Sequence, residues 1–312
     1  MNIVSVSVRV PATTANLGPG FDCLSLALDL WNRATFRLSG QGVRIKIIGE
    51  GKERLPIDEH NLIGRAFLRF YAALGKPAPE GVEINCDNQI PLSSGLGSSA
   101  AACLAGLLAA NAFLGQPASR QEILKMAVEI EGHPDNVAAA LWGGLVVVIT
   151  NDQQPEAFHF EPAPLKVVVL LPSINLPTSV SRSALPKMVP LADAVYNLGR
   201  TALVLEALRS GDLDLLAKAV QDRLHQPYRL NLIPGAEQAL QAARQSGASA
   251  AISGAGPSLI AFPLSDGAPV IASMQAILEQ YGQKTRSLVL FTMPQGAVVE
   301  KVQSSPESGL PD

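Results

Sequence analysis

Apolar and polar residues alternate along Ile3-Val-Ser-Val-Ser-Val-Arg-Val10, the two-residue period of a strand with one buried face. Shorter stretches of the same texture recur at Arg33–Leu38, Arg44–Ile48 and Gly81–Cys86, with a helix predicted from Asn61 to Leu74. A long alanine-rich helix then ends at Leu114, stopped by Gly115 and Pro117. A second runs from Arg120 to about Glu129, opened by a capping box of Ser119 and Glu122. The loop Glu131-Gly-His-Pro-Asp-Asn136 leads into a short alanine-rich helix and a buried strand from Leu145.

The stretch Asn151-Asp-Gln-Gln-Pro-Glu156 is polar and turn-rich, so it divides the chain into domains at 1–152 and 153–302. Helices near Asp193–Leu208 and Leu213–Leu224 mix with strands near Lys166–Leu171, Ala250–Ser253 and Leu259–Phe262 in the second half, an α+β texture. Residues 303–312 have the polar, proline-bearing composition of a flexible tail. A chain of 312 residues outgrows a single core, which favours two lobes with a cleft.

Composition narrows the partners. Twenty-four Lys and Arg against 27 Asp and Glu give a net charge of −3 with no basic block, so nucleic acid is not expected as a partner. No apolar run reaches the roughly 18 residues that span a bilayer, and the N-terminus reads as a strand rather than a signal peptide. Cys23, Cys86 and Cys103 are scattered and odd in number, which suits neither a disulfide framework nor a zinc site and points to a reducing cytoplasm.

The run Pro91-Leu-Ser-Ser-Gly-Leu-Gly-Ser-Ser-Ala-Ala101 carries the chemistry. Gly95 and Gly97 permit positive φ and close approach to a ligand, and the first amides of the following helix lack intrahelical acceptors, so a phosphate suits them. Ser98 and Ser99 add hydroxyls that can reach phosphate oxygens or a magnesium ion. The absence of Lys after Gly97 excludes a P-loop. Pro91 before the glycines and the late arrival of Glu122 argue against a dinucleotide fold. A ligand-free helix cap stays open on this loop alone.

Two further segments, Pro11-Ala-Thr-Thr-Ala-Asn-Leu-Gly-Pro-Gly-Phe-Asp22 and Ile252-Ser-Gly-Ala-Gly-Pro-Ser258, complete an ordered set of three. Together they resemble the motifs of the GHMP kinase superfamily of small-molecule kinases. Ala15–Asp22 and Glu131–Val137 are most similar to the branch acting on L-homoserine. The resemblance implies an α+β, two-lobed fold: an N-terminal ribosomal-protein-S5-like lobe with a left-handed βαβ crossover, and a C-terminal α/β sandwich lobe. It implies transfer of the γ-phosphoryl of ATP to the side-chain hydroxyl of L-homoserine, with Mg2+ as cofactor and a homodimer as the expected assembly.

The resemblance also implies site roles. Pro91, Leu92, Ser93, Ser94, Gly95, Leu96, Gly97, Ser98, Ser99, Ala100 and Ala101 cradle the triphosphate, with Asn61 on the adenine side. Asp22 takes the substrate ammonium and Asn16 the reacting hydroxyl. Arg182 and Arg229, helped by His133, take the carboxylate in the fork geometry of guanidinium. Thr178 joins Arg182 one helical turn away, and Gly254 of the third motif approaches the substrate. Asp135 is an evident carboxylate, yet the residue aligned with the catalytic aspartate of mevalonate kinases is Asn136, which cannot take a proton. Catalysis without a dedicated base is therefore expected, because positioning and charge stabilisation carry most of phosphoryl transfer. Ser98 is the magnesium hydroxyl, and Glu131 or Glu129 the carboxylate.

Each residue also has an ordinary alternative. Asp22 suits a turn cap, Asn61 and His133 suit helix caps, and isolated arginines are commonly solvated. Other readings of the chain are a sister kinase acting on mevalonate or a sugar, and a non-catalytic ATP and metabolite sensor. A carboxylate with two arginines fits a zwitterion better than a neutral sugar.

Overall fold

The computed structural model describes residues 3–151 and 154–303, so the expected boundary at 152/153 and the tail from residue 304 lie outside the described residues. The alternating N-terminus forms β1 (Ile3–Asn16), antiparallel to β2 (Gly20–Leu38). Both are longer than the pattern predicted. Pro11 sits at a register shift, where a bulge removes the need for the ladder bond that proline cannot donate. In β2, Leu24, Leu26 and Leu28 keep the two-residue period, and Ser25 and Ala27 on the opposite face are buried as well.

Next come β3 (Gly42–Gly49), α1 (Leu62–Ala73) and β4 (Gly81–Asn88), a βαβ unit whose two strands pair in parallel. Helices α2 (Ser98–Phe113), α3 (Arg120–Glu131) and α4 (Asp135–Trp142) follow, then β5 (Leu145–Asn151) and β6 (Gln154–Phe160). The predicted capping box is present at α3, with Ser119 N–H donating to Glu122 Oε2 at 2.7 Å. Small residues let α1 and α2 approach closely: a Cβ on Gly106 would collide with the backbone of Ile63. A polar stretch suits a linker and a hairpin tip equally, and here β5 and β6 pair across it. The chain leaves this sheet only after Phe160.

The second lobe contains β7 (Lys166–Pro172), α5 (Thr178–Ser183), α6 (Leu191–Ser210), α7 (Leu213–Ala219), α8 (Gln226–Leu230) and α9 (Ala236–Gln245). It continues with β8 (Ala248–Ile252), β9 (Leu259–Pro263), α10 (Ala268–Gln280) and β10 (Thr285–Phe291), after which β11 (Val298–Gln303) returns to pair with β1. The first lobe's sheet runs β11-β1-β2-β4-β3, with β5 and β6 added beside β2. The second lobe's four-stranded sheet runs β10-β7-β9-β8.

Leu240, Met274 and Leu278 pack beneath one face of the smaller sheet, while Val167, Val169, Ile260 and Phe262 join the main core from the other. Helix α7 stops at Ala219 rather than Leu224. The Asp222 carboxylate accepts the N–H groups of Leu224, His225 and Gln226, which starts a new turn instead of continuing the old one. Among the described residues, no helix is long and apolar enough to cross a membrane.

Candidate active site

A cleft of about 530 Å³ is lined by residues of both lobes. At one end the glycine loop leaves β4 and enters α2. Gly95 and Gly97 hold φ of 79° and 73°. A Cβ on the first would strike the Ser253 carbonyl, and one on the second Thr13 Oγ1. The loop is pinned from two sides: Thr13 N–H donates to Leu96 O at 3.1 Å, and Ser253 Oγ to Gly95 O at 2.8 Å. Among the described residues no side chain caps α2, so its first amides are open to a ligand.

Leu92, Ser93, Ser94, Gly95, Gly97, Ser98, Ser99 and Ala101 line the cleft. Pro91, Leu96 and Ala100 are buried and shape the loop from behind. This end has an apolar wall that the motifs did not reveal, made of Ile47, Leu55, Pro56, Leu62, Ile63 and Cys86. Asn61 lines it too, while capping α1: its amide oxygen accepts from Ile63 N–H at 3.1 Å and its nitrogen donates to Pro56 O at 2.6 Å.

Ser99 Oγ donates to Glu131 Oε2 at 2.6 Å, which puts that carboxylate beside Ser98 at the start of α2. Glu129 faces away, 3.8 Å from Arg69 Nη2. Of the two carboxylates left open by the sequence, only Glu131 touches the phosphate loop.

The other end of the cleft is built from charged side chains. The turn joining β1 to β2 is contorted, with positive φ at Asn16, Leu17 and Asp22. Asn16 stabilises it: Asn16 Nδ2 donates to Gly254 O at 2.7 Å and Asn16 Oδ1 accepts from Asp22 N–H at 2.9 Å. The amide predicted to meet the substrate hydroxyl thus also ties the two lobes together. Arg182 donates to both oxygens of Asp22 at 2.9 Å, so the groups assigned to opposite ends of a zwitterion hold each other here. Thr178 and Arg182 lie one turn apart on α5, and both line the cleft.

His133, Asp135 and Asn136 form the wall between the two ends. Asp135 is buried and accepts from Asn136 N–H at 2.7 Å, while His133 Nδ1 stands 3.4 Å from its Oδ1. Burial pushes the Asp135 carboxyl up, but His133, the Asn136 N–H and Arg182 outweigh it and hold the group below its usual range. The same contact raises His133 above its ordinary value, against the opposing effect of burial. Asn136 Oδ1 accepts from Thr13 Oγ1 at 2.8 Å, which locks the amide against the phosphate loop.

Arg229 has a different environment. It is only 1% exposed, yet it lines the cleft. Its Nη1 donates to Gly254 O at 3.1 Å and approaches His225 Nδ1 at 3.2 Å, while Nε has no partner among the described residues. Among the described residues, no carboxylate pairs with it. Burial, first of all, lowers its pKa from the ordinary value, with Arg182 acting in the same direction against the more distant carboxylates of Asp22, Asp135 and Asp222. His225 and Asp222, which surround Arg229 from behind, were not singled out by the sequence. A buried histidine without a motif looks like any core residue.

The residues 61–144 match the model described as the GHMP kinases N terminal domain, and residues 204–280 match the GHMP kinases C terminal model. The chain is 46% identical over 299 residues to a homoserine kinase of Synechococcus sp. (strain CC9605), covering 94% of this chain and 95% of the relative. It is 43% identical to a homoserine kinase of Moorella thermoacetica, over 94% of this chain and 99% of that one. The crystal structure of homoserine kinase from Cytophaga hutchinsonii is similar at a TM-score of 0.83 and 34% identity, covering 95% of this chain and 97% of that chain.

Proposed function

The chain belongs to the homoserine kinase family of the GHMP kinases, and from that premise we propose how its own residues divide the work. The reaction is transfer of the γ-phosphoryl group of ATP to the side-chain hydroxyl of L-homoserine. The observation that carries the site assignment is Arg229, a buried guanidinium without a carboxylate partner in the wall of the cleft. Leaving such a charge unpaired costs several kcal/mol, so the site is built to receive an anion from the ligand.

The substrate carboxylate supplies that anion. Its ammonium takes the place of Arg182 against Asp22, and the released Arg182 joins Arg229 at the carboxylate. One internal ion pair is thereby exchanged for three to the ligand. Asn16 and Gly254 hold the turn that aims the side-chain hydroxyl toward the glycine loop, with His133 and Thr178 closing the sides.

ATP lies with its base along the apolar wall near Asn61 and its phosphates on the amides after Gly97. The hydroxyl oxygen attacks the γ-phosphorus as the bond to the ADP oxygen breaks, and the proton passes to a phosphoryl oxygen. Asp135 serves poorly as a base, because His133 and the Asn136 N–H already engage its oxygen. Asn136 instead braces the loop through Thr13. Loop amides aimed at developing charge supply the main acceleration.

The residues fit a magnesium ion, since one hydroxyl and one carboxylate beside the triphosphate suffice. Ser98 lines the cleft, and Glu131 reaches Ser99 next to it. When bound, the ion neutralises charge on the phosphates. A homodimer is supported by the exposed face of Leu191, Val195 and Leu198 on α6, and a cytoplasmic location by three free cysteines.

The test is ADP release with ATP and magnesium, comparing L-homoserine with L-serine, L-threonine, mevalonate and galactose at equal concentration. Strong dependence on homoserine alone is expected. Turnover with mevalonate or galactose, or with none of the five, would overturn the reading.

A further inference from the structure

Behind Arg229 lies a buried polar cluster whose own residues, His225, Asp222 and Gly18, do not line the cleft. His225 is fully buried, and its Nε2 lies 2.7 Å from the carbonyl oxygen of Gly18. Its Nδ1 lies 3.2 Å from Arg229 Nη1. A carbonyl can only accept and a guanidinium can only donate, so the two contacts fix the ring's state: Nε2–H donates to Gly18, and bare Nδ1 accepts from Arg229. Phe21 stacks on the imidazole with ring centroids 5.3 Å apart, and the Arg229 guanidinium carbon lies 5.2 Å from the Phe21 ring centre.

The geometry points to His225 as the positioning residue of the carboxylate receptor: in its Nε2–H form it holds the Arg229 guanidinium in register with the turn carrying Asn16 and Asp22. The inference rests on the reading that Arg229 receives the substrate carboxylate. Three observations carry it beyond ordinary packing. First, the histidine joins segments 207 positions apart, Gly18 and itself, so it couples the turn of the first lobe to α8 of the second. Second, it offers Arg229 one of the two acceptors found among the described residues, the other being Gly254 O.

Third, the charged groups around it favour the neutral ring. Burial lowers its pKa first, and Arg229 acts in the same direction, against Asp222, the Gly18 carbonyl and Asp22. Asp222 Oδ2 comes within 3.6 Å of Nε2, but that carboxylate already accepts from Asn197 Nδ2 and from the N–H groups of Leu224, His225 and Gln226. Protonating Nδ1 would turn the acceptor facing Arg229 into a second donor and loosen the guanidinium.

Steady-state kinetics of three variants test this, alongside Arg229→Leu as the reference. His225→Phe keeps the stack on Phe21 and removes both hydrogen bonds. It is expected to raise the KM for homoserine about tenfold, the loss of one charge-assisted bond, while the KM for ATP stays within about twofold. His225→Asn retains an acceptor at the δ position and recovers most of the loss; His225→Gln retains only a donor toward Gly18 and does not.

If Arg229→Leu raises the homoserine KM while His225→Phe leaves it unchanged or moves both KM values equally, the positioning role falls and the receptor stands. If Arg229→Leu itself leaves the homoserine KM unchanged, both fall. A variant that fails to fold does not decide the matter, because 15N NMR of the parent enzyme reads the ring directly. A neutral Nε2–H signal from one of the four histidines at neutral pH, lost in His225→Asn, supports the inference. A Nδ1–H or doubly protonated ring at that position overturns it.

Discussion

The two ends of the cleft, to which we assign the same task of holding an anion, are built from different materials. In the reading proposed above, the nucleotide end uses backbone amides of one contiguous loop, whose glycines sit at φ of 79° and 73°, where a side chain would collide with Ser253 of the second lobe or with Thr13 of β1. The amino-acid end uses ionised side chains gathered from distant positions, with Asp22 and Arg182 separated by 160 residues. Backbone binding tolerates little change in conformation but asks little of side-chain chemistry. Side-chain binding reads ligand charge, and it requires the empty site to keep its own charges in check. Asp22 and Arg182 do so by pairing, and Arg229 by burial against two neutral acceptors.

If that division is right, damage at one end should leave the other end's substrate nearly untouched. The largest effect is expected from Arg229→Leu. Truncating one partner of a buried charge pair costs about 2–5 kcal/mol, or roughly thirtyfold and upward in kcat/KM for homoserine, with the KM for ATP within about twofold. Gly97→Ala mirrors it. The new Cβ meets Thr13 Oγ1 at a positive φ, strain of about 1–3 kcal/mol, so the KM for ATP should rise about tenfold or more and the melting temperature should fall. A proportional rise for both substrates in either variant would erase the distinction.

Asp22→Asn sharpens the comparison by separating binding from stability. The Asp22–Arg182 pair is about one-third exposed on each side, with side-chain exposures of 33% and 39%, so breaking it should cost at most about 1 kcal/mol of folding free energy. Homoserine should nevertheless lose about tenfold in KM, because its ammonium loses a charge partner. Calorimetry and kinetics on the same preparation check both halves.

The smallest effect concerns His133. Its folded pKa is raised by Asp135, so its contribution to stability is full below the ordinary imidazole value of about 6.5 and is lost as pH rises through the raised value. Asp135 has a depressed pKa, so its contribution fails only in acid, as pH falls through that lower value. The melting temperature of the parent enzyme should therefore exceed that of His133→Gln most clearly near pH 6, and the gap should close toward pH 9.

The same contrast explains what could be seen in the sequence. The glycine loop and its uncapped helix start were legible from physics alone, since glycines, serines and a following helix stand side by side at 91–101. Most of the strands and helices of the first lobe followed from periodicity. The long β2 did not, because its alternation around Leu24–Leu28 is buried on both faces, and the β5–β6 tip looked like a linker because polarity is common to both.

Arg182 and Arg229 are unremarkable in isolation, and only the ordered motifs marked them out. Telling Glu131 from Glu129 needed three dimensions, since the two are two residues apart on α3 and only one turns toward Ser99. His225 and the apolar wall from Ile47 to Cys86 carried no local signal at all. Their roles come from what the fold places beside them.

The most direct test of the division exploits the substrate itself. Homoserine and its decarboxylated analogue 3-amino-1-propanol share the hydroxyl and the ammonium but differ in the carboxylate. We expect the parent enzyme to favour homoserine strongly in kcat/KM, and Arg229→Leu to shrink that preference by about thirtyfold or more. An undiminished preference in the variant would mean that the buried guanidinium does not read the carboxylate, and the account of this end of the cleft would be wrong.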